Sequence, residues 1–240
     1  MTSLSSIVQP MDKTFSGSDH PLLLHNNSCI WIISGRRGAG KSTLALSVLG
    51  SKKAWKNRFE NIFFISSTGA NDKKFKALVD ELREDGKFYD HFDEDAIEEI
   101  FQKVQQTNEE AREEGRRKMP KSLLLLDDVI LDLPRSKSSL LNRLIVTSRH
   151  LNLSICLITQ KYNLSSTLFR SNADLISFFP SLNRKEVETL QSDLNIDPHK
   201  FQQLYNTATD SANSFLHCNL TAFPPVFYKK FDRLEIDLFS

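Results

Sequence analysis

The sequence predicts an α/β domain built on a mainly parallel sheet flanked by helices. Three observations predict it. Short apolar runs of strand length alternate with one-sided helical patterns through the middle of the chain, an order that right-handed crossovers turn into parallel strands. A glycine-rich turn, Gly35-Arg36-Arg37-Gly38-Ala39-Gly40-Lys41-Ser42, joins the first apolar run to the first helical pattern. A later apolar run, Leu123-Leu124-Leu125-Leu126, ends in the acids Asp127-Asp128. A buried strand ends this way when it delivers carboxylates to the ligand-binding edge of an open sheet.

Size and composition fit one such domain with modest additions: 240 residues, 40% apolar and 25% charged. The net charge of +1 creates no global basic field, so any contact with nucleic acid must come from local patches. The three cysteines, Cys29, Cys156 and Cys218, lack C-x-x-C spacing. Two lie in strand-like runs, which predicts buried reduced thiols rather than a zinc site. No run reaches the ~18 apolar residues of a membrane span, and the N-terminus shows no basic-then-apolar signal pattern. An intracellular, reducing compartment is the expectation, with no membrane partner.

Residues 1–27, rich in Ser, Asn and Pro, read as an irregular arm. Within it Pro21-Leu22-Leu23-Leu24 could pack on the core or beside a bound base. The first strand spans about 29–34, and the helix after the glycine turn, beginning Ser42-Thr43-Leu44, ends near Gly50, a natural C-cap. Residues 51–60 carry Lys52, Lys53, Lys56 and Arg58 around Trp55. That mixture is either a solvated helix end with Trp55 packed inward or a nucleic-acid surface. Asn61 to Ser67 reads as a second buried strand. About 69–120 is a charged helical insertion between the second and third strands. It holds thirteen acids against seven bases from Glu81 to Lys118, with Leu78, Leu82, Ile97, Ile100, Phe101 and Val104 at one-sided spacing. The outer face is a solvated surface or a place for a partner to dock. A loop to Ser139 with Arg135 and Lys137 follows the acid-tipped strand, then a helix over 139–150. Asn152 to Gln160 is a buried strand ending in an amide, Leu164 to Ser171 a short helix, and Asp174 to Phe179 a fifth strand. Helices over 183–194 and from Asp197-Pro198, and a β pair around Pro224-Pro225, complete the chain.

The glycine turn satisfies G-x-x-x-x-G-K-[ST] with a strand before it and a helix after it, the context in which it cradles phosphates. Glycines let backbone N–H groups turn inward on an anion, and the helix N-terminus adds partial positive charge. Lys41 is placed to reach the β- and γ-phosphates and Ser42 to ligate Mg²⁺. Asp127 is then placed to hold Mg²⁺ and Asp128 to orient or deprotonate an attacking water. Gln160 can sense the γ-phosphate or simply cap its strand. The ordering suggests the P-loop NTPase architecture of RecA-like, ASCE type, with a strand added between those bearing the phosphate loop and the acids. Thr159-Gln160-Lys161-Tyr162 lacks the acid of a guanine-reading motif, so ATP is the expected nucleotide.

Gly35 to Ser42, Leu123 to Val129, and Ser148-Arg149-His150-Leu151-Asn152-Leu153-Ser154-Ile155-Cys156-Leu157-Ile158-Thr159-Gln160-Lys161-Tyr162 together resemble the viral genome-packaging ATPases of the FtsK/HerA class, found in poxviruses, other large DNA viruses and virophages. Arg170-Ser171-Asn172 resembles that family's R-x-N. The resemblance covers about residues 28–182, which is taken as the ATPase core, with 183–240 packed on it. It implies a ring of copies driving double-stranded DNA into a preformed capsid, docked on a capsid vertex protein. The host-cell cytoplasm, a viral factory or the virion would be its location. It further implies that Lys41, Ser42, Asp127, Asp128 and Gln160 take the roles above, although many cellular relatives carry Glu where this chain has Asp128. Arg170 first and Arg149 second are candidates for a cation given to the neighbour's ATP. Arg135 and Lys137 are candidates for DNA phosphate contact or a solvated loop. Two other functions stay open: a P-loop kinase for a small acceptor, and a non-hydrolysing ATP-binding adaptor.

Overall fold

The computed structural model describes residues 28–129, 140–211 and 213–235. The arm at 1–27 and the candidates Arg135 and Lys137 lie outside them. Nine strands form one sheet in the order β3-β2-β4-β5-β1-β6-β7-β8-β9. They are β1 (Ile30–Ser34), β2 (Asn61–Ser66), β3 (Phe88–Tyr89), β4 (Ser122–Asp127), β5 (Leu153–Thr159), β6 (Leu175–Phe178), β7 (Leu216–Asn219), β8 (Val226–Lys229) and β9 (Asp232–Arg233). The first six pair in parallel and the last three continue the sheet antiparallel from β6. The amide-tipped β5 lies between β1 and β4, the inserted-strand order expected.

The continuous apolar runs follow from burial on both faces. Ile30, Ile32, Phe63, Ile65, Leu124, Leu126, Ile155 and Leu157 face one core. Their neighbours Trp31, Ile33, Phe64, Leu123, Leu125, Cys156 and Ile158 face the other. Each such side chain contributes about 1.5–3 kcal/mol when fully buried, so both faces of every central strand add to the core. The second face is covered by α1 (Lys41–Gly50) and α2 (Lys76–Glu84). The first is covered by α3 (Glu94–Glu113), α4 (Leu140–Thr147), α6 (Arg184–Leu194) and α7 (Pro198–Ala208), with the short α5 (Thr167–Ser171) between them. Asp197 caps α7, accepting from the His199 and Lys200 N–H groups, with Pro198 first in the helix. All three cysteines are free and buried.

The insertion differs from its expected form. It is not wholly helical, because Phe88-Tyr89 adds an edge strand beside Phe64-Ile65. Two residues are too few to show alternation. Its helices also straddle the sheet: Leu78 and Leu82 pack on one face, Ile97, Ile100, Phe101 and Val104 on the other. Asp93 caps α3 through the Ala96 N–H at 2.6 Å. At the other end, the expected β pair is a three-strand extension of the main sheet.

Candidate active site

The register brings the functional strand ends to one edge. Ser34 of β1 lies beside Thr159 of β5 and Phe178 of β6; Asp127 of β4 lies beside Ile158 and Ser66. The chain leaves Ser34 through Gly35, whose N–H donates to the Thr159 carbonyl at 3.2 Å, and turns through residues 36–40 into α1. Gly40, the residue before α1, sits at φ +104°, where a side chain would be strained, and its carbonyl accepts from the Leu44 N–H at 2.8 Å. Arg36, Arg37, Gly38 and Thr43 are exposed, Ala39, Gly40 and Ser42 half-buried, and Lys41 is buried. Lys41 Nζ donates to the Arg36 carbonyl at 3.2 Å, which holds the ammonium inside the turn's own curve. Burial lowers its pKa, and the charges of Asp128 and Asp127 oppose that shift. The lysine therefore lies within electrostatic reach of both acids.

Asp127 is buried, and its pKa is pushed up to about 7 by burial and then by the charge of Asp128. A divalent ion beside this carboxylate would restore the ionised form that burial opposes. The oxygen donors available, the Asp127 carboxylate and the Ser42 hydroxyl, suit a hard ion such as Mg²⁺. Among the described residues no group of three or more His, Cys, Asp or Glu side chains could hold a metal.

Asp128 takes a left-handed backbone, φ +54°, while its N–H donates to the Ile158 carbonyl at 3.2 Å. The Gln160 side-chain amide donates to both Asp128 carboxylate oxygens, at 3.1 and 3.2 Å. The tips of the two adjacent strands are thus tied through the pair in which one acid is the candidate base.

Sequence reasoning missed Ser66. It ends β2, is fully buried, and its hydroxyl donates to Asp127 Oδ2 at 3.3 Å. The Ser66 hydroxyl oxygen in turn accepts from the Gly69 N–H at 2.8 Å. A side chain at Gly69 would lie 2.9 Å from Ser66 Cβ, so the turn closes on the serine only with glycine there. The signal available was a hydroxyl at the tip of a strand that could neighbour the acid-bearing one.

The two arginine candidates separate. Arg170 has a side chain 13% exposed and ion-pairs through Nε with Asp193 at 2.7 Å. Its guanidinium also donates to the Ser165 carbonyl and lies over the Tyr162 ring. Tyr162 donates to the same Asp193 oxygen at 3.0 Å. Two of its nitrogens, Nε and Nη1, are thus engaged within the chain, where they bind the segment after Gln160 to α6. Arg149 pairs with Asp174 at 2.9 Å yet stays 74% exposed. Asp174 also accepts from the Ile30 N–H at the start of β1, so Arg149 lies at the sheet edge opposite the phosphate loop.

A family model described as "Poxvirus A32 protein" matches residues 21–209. No curated protein matches. Among solved structures, the genome-packaging NTPase B204 of Sulfolobus turreted icosahedral virus 2 with ATP-γ-S has 17% identity and a TM-score of 0.58, over 85% of this chain and 98% of that one. B204 of Sulfolobus turreted icosahedral virus, the DNA-packaging ATPase, gives 18%, 0.58, 85% and 98%. The pCW3 conjugation coupling protein TcpA with ATP-γ-S gives 13%, 0.56, 96% and 69%. These likenesses establish the fold, a helix-flanked, mainly parallel sheet of the phosphate-loop ATPase type. With the family match spanning most of a chain that places phosphate loop and acid pair on one sheet edge, the chain is an ATPase and belongs to the poxvirus A32 protein family.

Proposed function

We propose that this chain is the ATP-driven motor that moves double-stranded viral DNA into a preformed capsid. It works as a ring of copies, hydrolysing ATP at the interfaces between subunits. The observation that carries the reading is the Gln160 clamp on Asp128, beside the buried Asp127, on the edge that bears the phosphate loop. A nucleotide carrier needs the loop; a base held by a strand-tip amide serves hydrolysis by water.

The roles follow from placement. Lys41 leaves the Arg36 carbonyl to neutralise the β- and γ-phosphates. Ser42 and Asp127 would hold Mg²⁺, which would neutralise phosphate charge when bound. Asp128 takes the proton of the attacking water, and Gln160 orients Asp128 and exchanges that bond for one to the γ-phosphate oxygens as the site fills. A cation stabilising the transferring phosphoryl group is worth several kcal/mol, and a ring supplies it from the next subunit. Arg149 is the candidate, since it is exposed and remote from its own loop. The packaging function named for B204 and the conjugation role named for TcpA support a DNA-moving use of this fold. A capsid vertex protein is the expected docking partner, and the host-cell cytoplasm, a viral factory or the virion the place of action. Among the described residues no helix is long and apolar enough to cross a membrane.

The deciding experiment measures ATP turnover with and without double-stranded DNA at several salt concentrations, together with mass in solution. Turnover stimulated by DNA, fading with salt, in a ring-sized particle is the expected result. Absence of hydrolysis with and without DNA would overturn the motor reading in favour of an acceptor-dependent kinase or an adaptor.

A further inference from the structure

The fold gathers a concentrated basic surface that composition conceals. Residues 51–60 run from α1 to β2, and residues 115–121 run from α3 to β4. Both therefore lie at the sheet edge opposite the phosphate loop. The structure binds them together: the N–H groups of Glu60 and Asn61 reach the Lys121 carbonyl at 2.8 and 3.4 Å, and Arg116 pairs with Glu60 at 2.8 Å. The two segments hold Lys52, Lys53, Lys56, Arg58, Arg116, Arg117, Lys118 and Lys121 against the single acid Glu60. That is a net charge of +7 in 17 residues of a chain whose total is +1, so the rest of the molecule is acidic. Lys52, Arg116, Arg117 and Lys118 are exposed. The charges crowd one another: besides burial, Arg58 and Lys118 lower the pKa of Lys121. A polyanion relieves such crowding. On one side the patch is bounded by Glu113 and Glu114 at the end of α3.

The aromatic residue in the first segment selects the kind of polyanion. Trp55 is 2% exposed and packs edge-on against Trp31 at 5.2 Å and Phe59 at 5.3 Å. It anchors the loop to the sheet and offers no face for an unpaired base. Single-strand binding draws on stacked aromatics, whereas phosphate contact by Lys and Arg reads only the backbone, without sequence preference.

We propose that the edge formed by residues 51–60 and 115–121 is a docking surface for the phosphate backbone of double-stranded DNA. This rests on the motor reading above and adds where the chain holds its track. An acidic protein surface, such as the outer face of α3 on a second copy, is the competing occupant.

The test is the triple variant Lys52→Glu, Arg117→Glu, Lys118→Glu in the full chain, all three exposed and none in the ATP site. Binding of a short fluorescent duplex is measured against salt, alongside melting temperature, DNA-free ATP turnover and mass in solution. The expected result is duplex affinity at least about tenfold weaker with a salt slope shallower by about 2–3, at unchanged melting temperature and DNA-free turnover. The graded Gln variant should fall between. Wild-type binding that the variant reproduces in affinity and slope overturns the surface and leaves the motor reading standing. A variant that keeps DNA but loses self-association overturns it in favour of a contact between copies. A wild-type chain that binds no duplex at any salt removes the motor reading itself.

Discussion

At the C-terminal edge of the sheet the working groups are two acids, an amide and a glycine-rich turn; at the N-terminal edge they are arginines and lysines. The first edge is made of two consecutive runs, 35–42 and 127–128, and the single residue Gln160. The second edge is assembled from distant residues. Arg149 meets Asp174, and Arg116 meets Glu60, pairs 25 and 56 residues apart. The contrast teaches that chemistry at a phosphate-binding edge is carried by strand tips and the turns that follow them. A basic surface split along the chain exists only once crossovers have returned several segments to the same side.

The shared-site reading makes the two edges depend on each other across subunits, and it can be broken most sharply at Arg149. Arg149→Ala should lower turnover by about 10³ or more, as loss of a phosphoryl-stabilising arginine does, while ATP affinity holds. Asp128→Asn on the other edge should cost about 10²–10⁴ in turnover, the range for a general base, again with ATP still bound. Mixing the two inactive proteins should restore part of the rate, because some interfaces then pair an intact base with an intact arginine. Mixtures no more active than their parts would show that each subunit hydrolyses alone.

Arg170 sharpens the comparison in the other direction. Its pairing with Asp193 is mostly buried, so Arg170→Ala should destabilise the fold by about 3 kcal/mol, the lower end for breaking a buried pair. For a chain of this size that lowers the melting temperature by about 6–12 °C, readable by calorimetry. If Arg170→Ala melted like wild type and had lost turnover, the assignments of the two arginines would be exchanged.

The fold and the catalytic edge were legible because their signals are local. Continuous apolar runs mark β1, β2, β4 and β5, and the loop motif shows without any contact being known. What stayed hidden needed three dimensions. The edge strand Phe88-Tyr89 is too short to alternate. The commitment of Arg170 depends on Asp193, in a helix not tied to it by sequence. The +7 surface is split by the whole of β2, α2, β3 and α3. Ser66 was hidden for the same reason: nothing in Ile65-Ser66-Ser67 says which strand will lie beside it.

Ser66 also carries the smallest expected effect and the finest probe of the catalytic edge. It holds one oxygen of Asp127 at 3.3 Å, leaving the other for the proposed Mg²⁺. Partners that orient a metal ligand typically change affinity 10–100-fold when removed, and a hydrogen bond this long belongs at the bottom of that range. Ser66→Ala should therefore raise the Mg²⁺ concentration for half-maximal tightening of nucleotide binding by about tenfold or less, with Mg²⁺-free nucleotide affinity unchanged. Ser66→Thr should restore it by keeping the hydroxyl. Gly69→Ala should imitate the defect, since the added methyl presses on Ser66 Cβ from 2.9 Å. A general packing defect would instead weaken binding with and without Mg²⁺ alike. Unchanged Mg²⁺ dependence in Ser66→Ala would mean that the pairing of β2 with β4, which sets Ser66 beside Asp127, is enough by itself to aim the carboxylate.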